Sequence, residues 1–164
     1  MPRPSQHTTP YFDALRDYVD SGTRPFHTPG HKQGVGMHKR LRDFIGDNVL
    51  SIDLTQIRGL DDLNQPEGPI LEAMRLAAIA YGADYSYFLV NGSTAGNQAM
   101  LMTALRPDDS VLLPRNSHKS ATSALIMSAT RPVYMPPEVD RDLHIDHAVT
   151  LQTVERSLDE HPEA

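Results

Sequence analysis

The sequence contains no cysteine among its 164 residues. This absence excludes a disulfide framework, a thiolate nucleophile and a zinc–thiolate site, and it is compatible with a reducing cytoplasm, which is the expected location. Long apolar runs are also missing, since none approaches the ~18 residues that a membrane-spanning helix needs. The N-terminal segment lacks the apolar stretch of a signal peptide. Neither an internal repeat nor a low-complexity tract occurs.

Basic residues are outnumbered by acidic ones. The 15 Lys and Arg residues stand against 21 Asp and Glu residues, which gives a net charge of −6. This balance argues for solubility and against a general nucleic-acid or anionic-membrane surface, so neither nucleic acid nor a membrane is an expected partner. Hydrophobic residues make up 39% and charged residues 22%, as in globular proteins. The length allows one domain at most, with a sizeable core.

Turn-forming residues and short helical patterns dominate the first part of the chain. The clearest helix is predicted from Pro10 to Ser21, where Phe12, Leu15 and Val19 recur at helical spacing and Gly22 follows as a stop. The remaining predictions here are a loose arm at 1–9, loops at 24–36 and 59–69, a short helix at 37–45, and an alternation at 48–56 that is compatible with a strand.

From residue 69 onward, helical and strand patterns alternate regularly. Such alternation implies βαβ crossovers and a parallel sheet, so the chain is predicted to have an α/β fold. A helical and looped arm, residues 1–66, is expected to precede an incomplete α/β domain, residues 67–164. The predicted elements are helices at 69–81, 94–105 and 117–128, strands at 85–90, 110–114 and 132–135, and a last helix that Asp146 caps and that ends near Glu160.

The stretch Asn91–Thr94 joins a predicted buried strand to a predicted helix, where parallel α/β sheets bind ligands. A helix N-terminus there offers unpaired N–H groups and the positive end of the helix dipole. Gly92 would let the backbone approach an anion, and the hydroxyls of Ser93 and Thr94 would add donors, so the three are candidate phosphate ligands. No Gly-Lys-Ser/Thr follows, so this is not a P-loop. An ordinary N-cap by Ser93 or Thr94 explains the pattern equally well.

His118 occupies the corresponding place one βα unit later, at the start of the helix that follows strand 110–114. Adjacent parallel strands would bring it beside the first loop, where its imidazole could stack on a ring held by the phosphate site. On the residues alone, a solvent-exposed histidine in a capping segment is the simpler interpretation.

Two further groups of polar residues favour structural roles. His27 and His31 have the i, i+4 spacing of a helical metal site, but Pro29 and Gly30 break any helix there, so a helical metal site is excluded. A metal site in the loop stays open as the less favoured alternative, and none is expected. Asp61 and Asp62 are adjacent carboxylates that would point in different directions. They are therefore predicted to form a turn or a cap and not an acid/base pair.

Four segments of the chain form an ordered set: PFHTPGHKQG (25–34), DLTQIRGLDDLNQPEGPI (53–70), FLVNGSTAGNQA (88–99) and RNSHKS (115–120). They occur in the same order in the Orn/Lys/Arg decarboxylases, which the chain therefore resembles from about Tyr11 to Ala164. These are pyridoxal-phosphate enzymes of the aspartate-aminotransferase fold. The chain starts like the shorter members that lack a wing domain, often arginine decarboxylases.

The resemblance assigns roles to the candidate site. In the family, the loop that matches Gly92, Ser93 and Thr94 holds the phosphate of pyridoxal 5′-phosphate. The histidine that matches His118 stacks on the pyridine ring and counts as a catalytic and cofactor-binding residue. The resemblance also implies a homodimer or higher oligomer, with dimer contacts in the segment before residue 67.

Two family residues have no match in this sequence. The Schiff-base lysine of the family lies much further along, in a Ser-x-His-Lys motif, and the aspartate that pairs with the pyridine nitrogen also comes later. The lysines of this chain, Lys32, Lys39 and Lys119, stand in no such motif. The chain is therefore expected to be an N-terminal part of a decarboxylase and to be inactive alone.

The expected function is decarboxylation of a basic amino acid to its amine, a step in polyamine biosynthesis. The sequence does not choose among arginine, lysine and ornithine. Two other classes stay open: a non-catalytic truncated homologue that pairs with a full-length subunit, and a module that binds another phosphate ligand.

Overall fold

The computed structural model describes residues 5–164, which form seven α-helices and four β-strands. The helices are α1 (Pro10–Asp20), α2 (Lys39–Ile45), α3 (Asp47–Ser51), α4 (Pro69–Tyr81), α5 (Gly92–Ala104), α6 (Lys119–Ser128) and α7 (Leu151–Glu160). The strands are β1 (Ser110–Pro114), β2 (Arg131–Met135), β3 (Val139–Asp140) and β4 (Ile145–Asp146). None of the helices in this part of the chain is long and apolar enough to cross a membrane. The predicted arm at 1–9 lies partly outside the described residues.

The chain divides into two compact units, of which the first ends at Phe88 and the second runs from Leu89 to Ala164. The first holds α1 to α4 and the second holds the other helices and all four strands. The predicted division into residues 1–66 and 67–164 concerns the domains of the family and stays a prediction.

In the first unit, α1 packs against α4. Both begin with proline, whose fixed φ suits the first helical position, and α4 ends before Gly82, which has a left-handed φ of +67°. The buried face of α4 presents Ile70, Met74 and Ala78, four residues apart along the helix. The sequence-based helices at 10–21 and 69–81 are therefore confirmed.

The strand prediction for 48–56 is wrong. Gly46 precedes α3, which turns this segment so that Leu50 is buried. A Cβ on Gly34 would come within 2.9 Å of the Leu50 Cδ1 atom, so the two residues are in close contact. Three alternating apolar residues are too few to outweigh this packing. The predicted helix at 37–45 exists but begins at Lys39, because the His38 ring accepts a hydrogen bond from the Arg40 N–H and caps it.

In the second unit, β1 and β2 pair in parallel, with Ser110 opposite Arg131 and Pro114 opposite Met135. α6 connects them and ends at Ala129, which adopts a left-handed conformation. α5 packs against α6. These elements confirm the α/β class and one predicted βαβ unit, formed by β1, α6 and β2.

Residues 85–90 do not form the predicted buried strand. Tyr85, Tyr87 and Val90 are each more than three quarters exposed. A strand needs a hydrogen-bonded neighbour, and in residues 5–164 β1 pairs only with β2. The following helix begins at Gly92, two residues before the predicted Thr94.

The short antiparallel hairpin of β3 and β4 was not predicted. The Asp140 carboxylate accepts hydrogen bonds from the N–H groups of Asp142 and Leu143 at 2.9 and 2.8 Å and so stabilises the turn. Asp146 lies in β4, and its predicted role as the cap of the last helix is wrong. Thr150 caps α7 instead, because its hydroxyl accepts the Thr153 N–H at 3.1 Å.

Candidate functional site

The start of α5 carries the candidate phosphate ligands. Gly92 is the first helical residue and has a φ of +68°, a conformation that glycine adopts without strain. Its predecessor Asn91 provides no side-chain cap, and in residues 5–164 the hydroxyls of Ser93 and Thr94 form no hydrogen bond. All four residues are exposed. The alternative in which Ser93 or Thr94 caps its own helix is therefore not what the structure contains.

This helix N-terminus has the donors that a phosphate monoester needs. The first N–H groups of α5 have no partner within the helix, and the dipole places partial positive charge there. A Cβ at Gly92 would meet no atom within 4 Å, so the approach to the backbone is open. Two unpaired hydroxyls stand on the same turn. The residues present therefore fit a phosphate group.

His118 lies at the start of α6, directly after the segment that follows β1. It is the N-cap residue, and its Nδ1 atom accepts the Ser120 backbone N–H at 3.2 Å. The residue is otherwise exposed. His118 is thus a capping histidine, as the simpler interpretation proposed, and it is an exposed residue.

A hydrogen bond between the half-buried Asn97 and the buried Ser120 links the two helices, and sequence reasoning missed it. Asn97 on α5 donates through Nδ2 to the Ser120 hydroxyl on α6 at 2.9 Å. The same hydroxyl lies 2.9 Å from His118 Nδ1. Ser120 is only 1% exposed. Both residues fall inside the recognised motifs, but only the packing of α5 on α6 reveals that they meet.

The histidines of the 24–36 loop make structural contacts in the first unit. His31 Nε2 lies 3.0 Å from Asp53 Oδ2, and His31 Nδ1 accepts the Gly34 N–H at 3.1 Å. His27 Nε2 lies 2.8 Å from the Tyr18 hydroxyl. No cluster of three or more possible metal ligands occurs in residues 5–164. These contacts hold the loop to α1 and to the segment after α3.

Asp61 caps α4 from a distance along the chain. Its Oδ2 atom accepts N–H groups from Gly68, Ile70 and Leu71 at 2.8, 3.1 and 3.4 Å. These include orphan donors at the start of the helix, which the N-cap Gly68 has no side chain to satisfy. The expectation of a turn or a cap is therefore confirmed.

The electrostatics of Asp61 follow from these bonds. Burial raises the pKa of its carboxyl, but the N–H groups of Glu67, Asp62, Gly68 and Leu71 stabilise the charged form more strongly and lower the pKa from 3.8 to about 2. Asp61 is thus ionised at neutral pH and fully engaged with backbone donors. It is not available as a general acid or base.

A family model described as the Orn/Lys/Arg decarboxylase major domain matches residues 9–164. The arginine decarboxylase of Bacillus anthracis is 46% identical over 164 residues, which are 100% of this chain and 33% of that protein. The ornithine decarboxylase of Haemophilus influenzae is 37% identical over 133 residues, which are 77% of this chain and 18% of that protein.

The structure agrees with these matches. The constitutive lysine decarboxylase of E. coli superimposes with a TM-score of 0.78 at 32% identity, over 93% of this chain and 22% of that chain. The chain spans about a third of the arginine decarboxylase that it matches. Because the family model covers nearly all of the sequence, the chain belongs to the Orn/Lys/Arg decarboxylase family.

Proposed function

We propose that the chain supplies the cofactor-phosphate cradle and the ring-stacking histidine of a pyridoxal-phosphate-dependent decarboxylase of a basic amino acid. The observation that carries the proposal is the uncapped, exposed start of α5, on a helix that packs against α6, whose own first turn is capped by His118. The large domain would then have the aspartate-aminotransferase fold. Arginine is the first substrate to test, since the matched arginine decarboxylase has a higher identity, 46%, than the ornithine decarboxylase, 37%.

Different residues of the chain would hold different parts of the cofactor. The first N–H groups of α5 and the hydroxyls of Ser93 and Thr94 would bind the phosphate and fix the cofactor at one end. His118 would cover one face of the pyridine ring. When bound, pyridoxal phosphate acts as the electron sink that lets the α-carboxylate leave as CO₂. None of Lys32, Lys39 and Lys119 lies in the family's lysine motif, so the chain alone is expected to bind the cofactor reversibly without turnover.

The cradle assignment predicts a loss of cofactor affinity on removal of its hydroxyls. Each charge-assisted hydrogen bond is worth roughly 1.5–3 kcal/mol, so Ser93→Ala combined with Thr94→Ala, which removes two such bonds, should weaken pyridoxal-phosphate binding by at least ~100-fold. Calorimetric titration of this chain, and of the protein isolated from its own cells, would measure the effect. Pyridoxal without phosphate should bind both forms weakly and equally.

Thr103→Ala is the matched control. Thr103 lies on α5, and its exposed hydroxyl bonds the Ala99 carbonyl at 2.7 Å, three turns from the cradle. This variant should bind pyridoxal phosphate as the wild type does. Unchanged affinity in the double variant would refute the cradle, and binding of a different phosphate ester in place of pyridoxal phosphate would favour a module for another ligand.

A non-catalytic partner subunit is the second candidate, and the exposed apolar segment at 85–90 favours it. The intact mass of the protein isolated from its own cells distinguishes the decarboxylase from the partner subunit. A mass several-fold above 18.2 kDa, together with CO₂ release from arginine, lysine or ornithine, supports the enzyme. A mass of 18.2 kDa with no release supports the partner subunit, which would then pair with a full-length homologue.

A further inference from the structure

The hydrogen bonds around Ser120 have a defined direction. Asn97 Nδ2 can only donate, so the Ser120 oxygen accepts from it and its own hydrogen is free to point elsewhere. The second neighbour within reach is His118 Nδ1, at 2.9 Å. The Ser120 backbone N–H, which can only donate, also reaches Nδ1 at 3.2 Å, so Nδ1 is an acceptor. The hydroxyl therefore donates to the imidazole, and the three side chains form a directed chain from α5 to the first turn of α6.

This direction fixes the tautomer of His118. Nδ1 faces two donors, the Ser120 hydroxyl at 2.9 Å and the Ser120 backbone N–H at 3.2 Å. A nitrogen that accepts from two donors carries no hydrogen, so in the neutral ring the hydrogen lies on Nε2. Two bonds to one edge of the ring also oppose its rotation about the side-chain torsion angles.

We propose that Ser120 and Asn97 are positioning residues, which hold the His118 ring in one tautomer and one orientation for stacking on the cofactor. This inference rests on the proposed function of His118. Neither residue needs to touch the cofactor. Ser120 is buried, at 1% exposure, in a place where the smaller alanine would need no hydrogen-bond partner. The Ser120 hydroxyl is hydrogen-bonded to Asn97 and to His118, and packing alone would not require either bond.

The arrangement also connects the two halves of the site. Asn97 lies three residues after Thr94 on α5, and Ser120 lies two residues after His118 at the start of α6. The Asn97–Ser120 bond therefore ties the helix that would hold the phosphate to the helix that would hold the ring. A shift of α5 relative to α6 would be passed to the imidazole through this bond.

The first test observes His118 directly, in the cofactor-free chain. Two-bond ¹H–¹⁵N correlation spectra distinguish imidazole nitrogens that carry a hydrogen from those that do not, and His118→Gln assigns the signal. The wild type should show a single tautomer with the hydrogen on Nε2. Ser120→Ala should shift the Nδ1 signal and broaden the ring resonances, because one of its two donors is lost.

Asn97→Asp provides a second route that leaves the buried Ser120 in place. A carboxylate at residue 97 accepts the Ser120 hydroxyl and so removes it from His118. The spectrum should then change in the same direction as in Ser120→Ala. Ser128→Ala is the matched control, because Ser128 is also a buried hydroxyl on α6 but bonds the Ala124 carbonyl and Thr130. It should leave the His118 signals unchanged.

The same variants in the natural holoenzyme then separate this inference from the proposed function. If the ring is positioned for stacking, Ser120→Ala and Asn97→Asp should shift the cofactor absorption band and lower kcat more than they raise KM, while Ser128→Ala should do neither. His118 spectra that do not respond to either variant would overturn the positioning role. Altered His118 spectra with an unaltered cofactor band would retain the hydrogen-bond chain and refute the stacking assignment instead.

Discussion

At the scale of single residues, Asp61 shows how one carboxylate can organise a loop and a helix start together. Its side chain accepts backbone N–H groups from both sides of the 62–68 turn, and its own φ of +73° is one that few residues other than glycine adopt. Asp and Asn tolerate this conformation better than other side chains. The sequence alone indicated a turn or a cap here, but not which of the two aspartates would receive the bonds.

The lowered pKa of Asp61 makes a prediction about stability and pH. Because its folded pKa is about 2 and its ordinary value is 3.8, the carboxylate stabilises the fold above pH 3.8, and this contribution disappears as the pH falls towards 2. Allowing for solvent screening of this partly exposed carboxylate, the shift corresponds to about 1 kcal/mol. Urea unfolding of Asp61→Asn and wild type should show that difference at pH 7 and a much smaller one near pH 2.

Asp62→Asn is the control, since Asp62 is exposed and bonds mainly the Asn64 N–H at 2.8 Å. The free energy of unfolding of Asp62→Asn should be only slightly lower than that of the wild type, both at pH 7 and near pH 2. A pH-independent difference between wild type and Asp61→Asn would contradict the assignment of the lowered pKa to this carboxylate.

At the scale of elements, local signals predicted most boundaries well. Pro69 and Gly82 bracket α4, and β1 was predicted at the residues that it occupies. The failures share a physical cause, which is that they depend on neighbours distant in sequence. Residues 85–90 have the composition of a strand but no pairing partner in the described part of the chain, whereas α3 forms because Leu50 packs into the 24–36 loop at Gly34.

The candidate site also contains some residues that local sequence motifs predicted and one contact that they did not. Gly92, Ser93, Thr94 and His118 were predicted from the motifs, because strand ends and helix starts are local features. The Asn97–Ser120 bond joins two helices, and its partners are 23 residues apart. No periodicity or composition identifies such a pair before the helices are packed.

The end of the chain offers a test of element capping. Thr150→Ala removes the side-chain acceptor for the Thr153 N–H and should destabilise the fold by about 1 kcal/mol. Asp146→Asn, at the cap position that the sequence suggested, should have almost no effect because Asp146 is an exposed residue of β4. Thermal unfolding followed by circular dichroism measures both. The opposite order of effects would favour the sequence-based cap over the structural one.

At the scale of the whole molecule, each unit leaves large apolar side chains open to solvent. Burial of such side chains is worth about 1.5–3 kcal/mol each, so surfaces of this kind favour association. The side chains that are more than three quarters exposed are Phe26, Val35, Phe44, Tyr81, Tyr85, Tyr87, Val90 and Ile126.

The chain is therefore expected to self-associate. Sedimentation velocity over a concentration series should show a weight-average mass that rises above 18.2 kDa. Replacement of Tyr85, Tyr87 and Val90 by serine should move this increase in mass to higher concentration, because these three apolar side chains are more than three quarters exposed. A mass of 18.2 kDa at every concentration would contradict this expectation for the chain.

The Asn97–Ser120–His118 chain has a consequence for the order of folding. Its members lie within one α5–β1–α6 segment, and contacts at short sequence separation form with a low loop-closure cost. The candidate phosphate-binding turn and the imidazole should therefore reach their relative positions early in folding. A nascent chain would then present the assembled candidate site early in its synthesis.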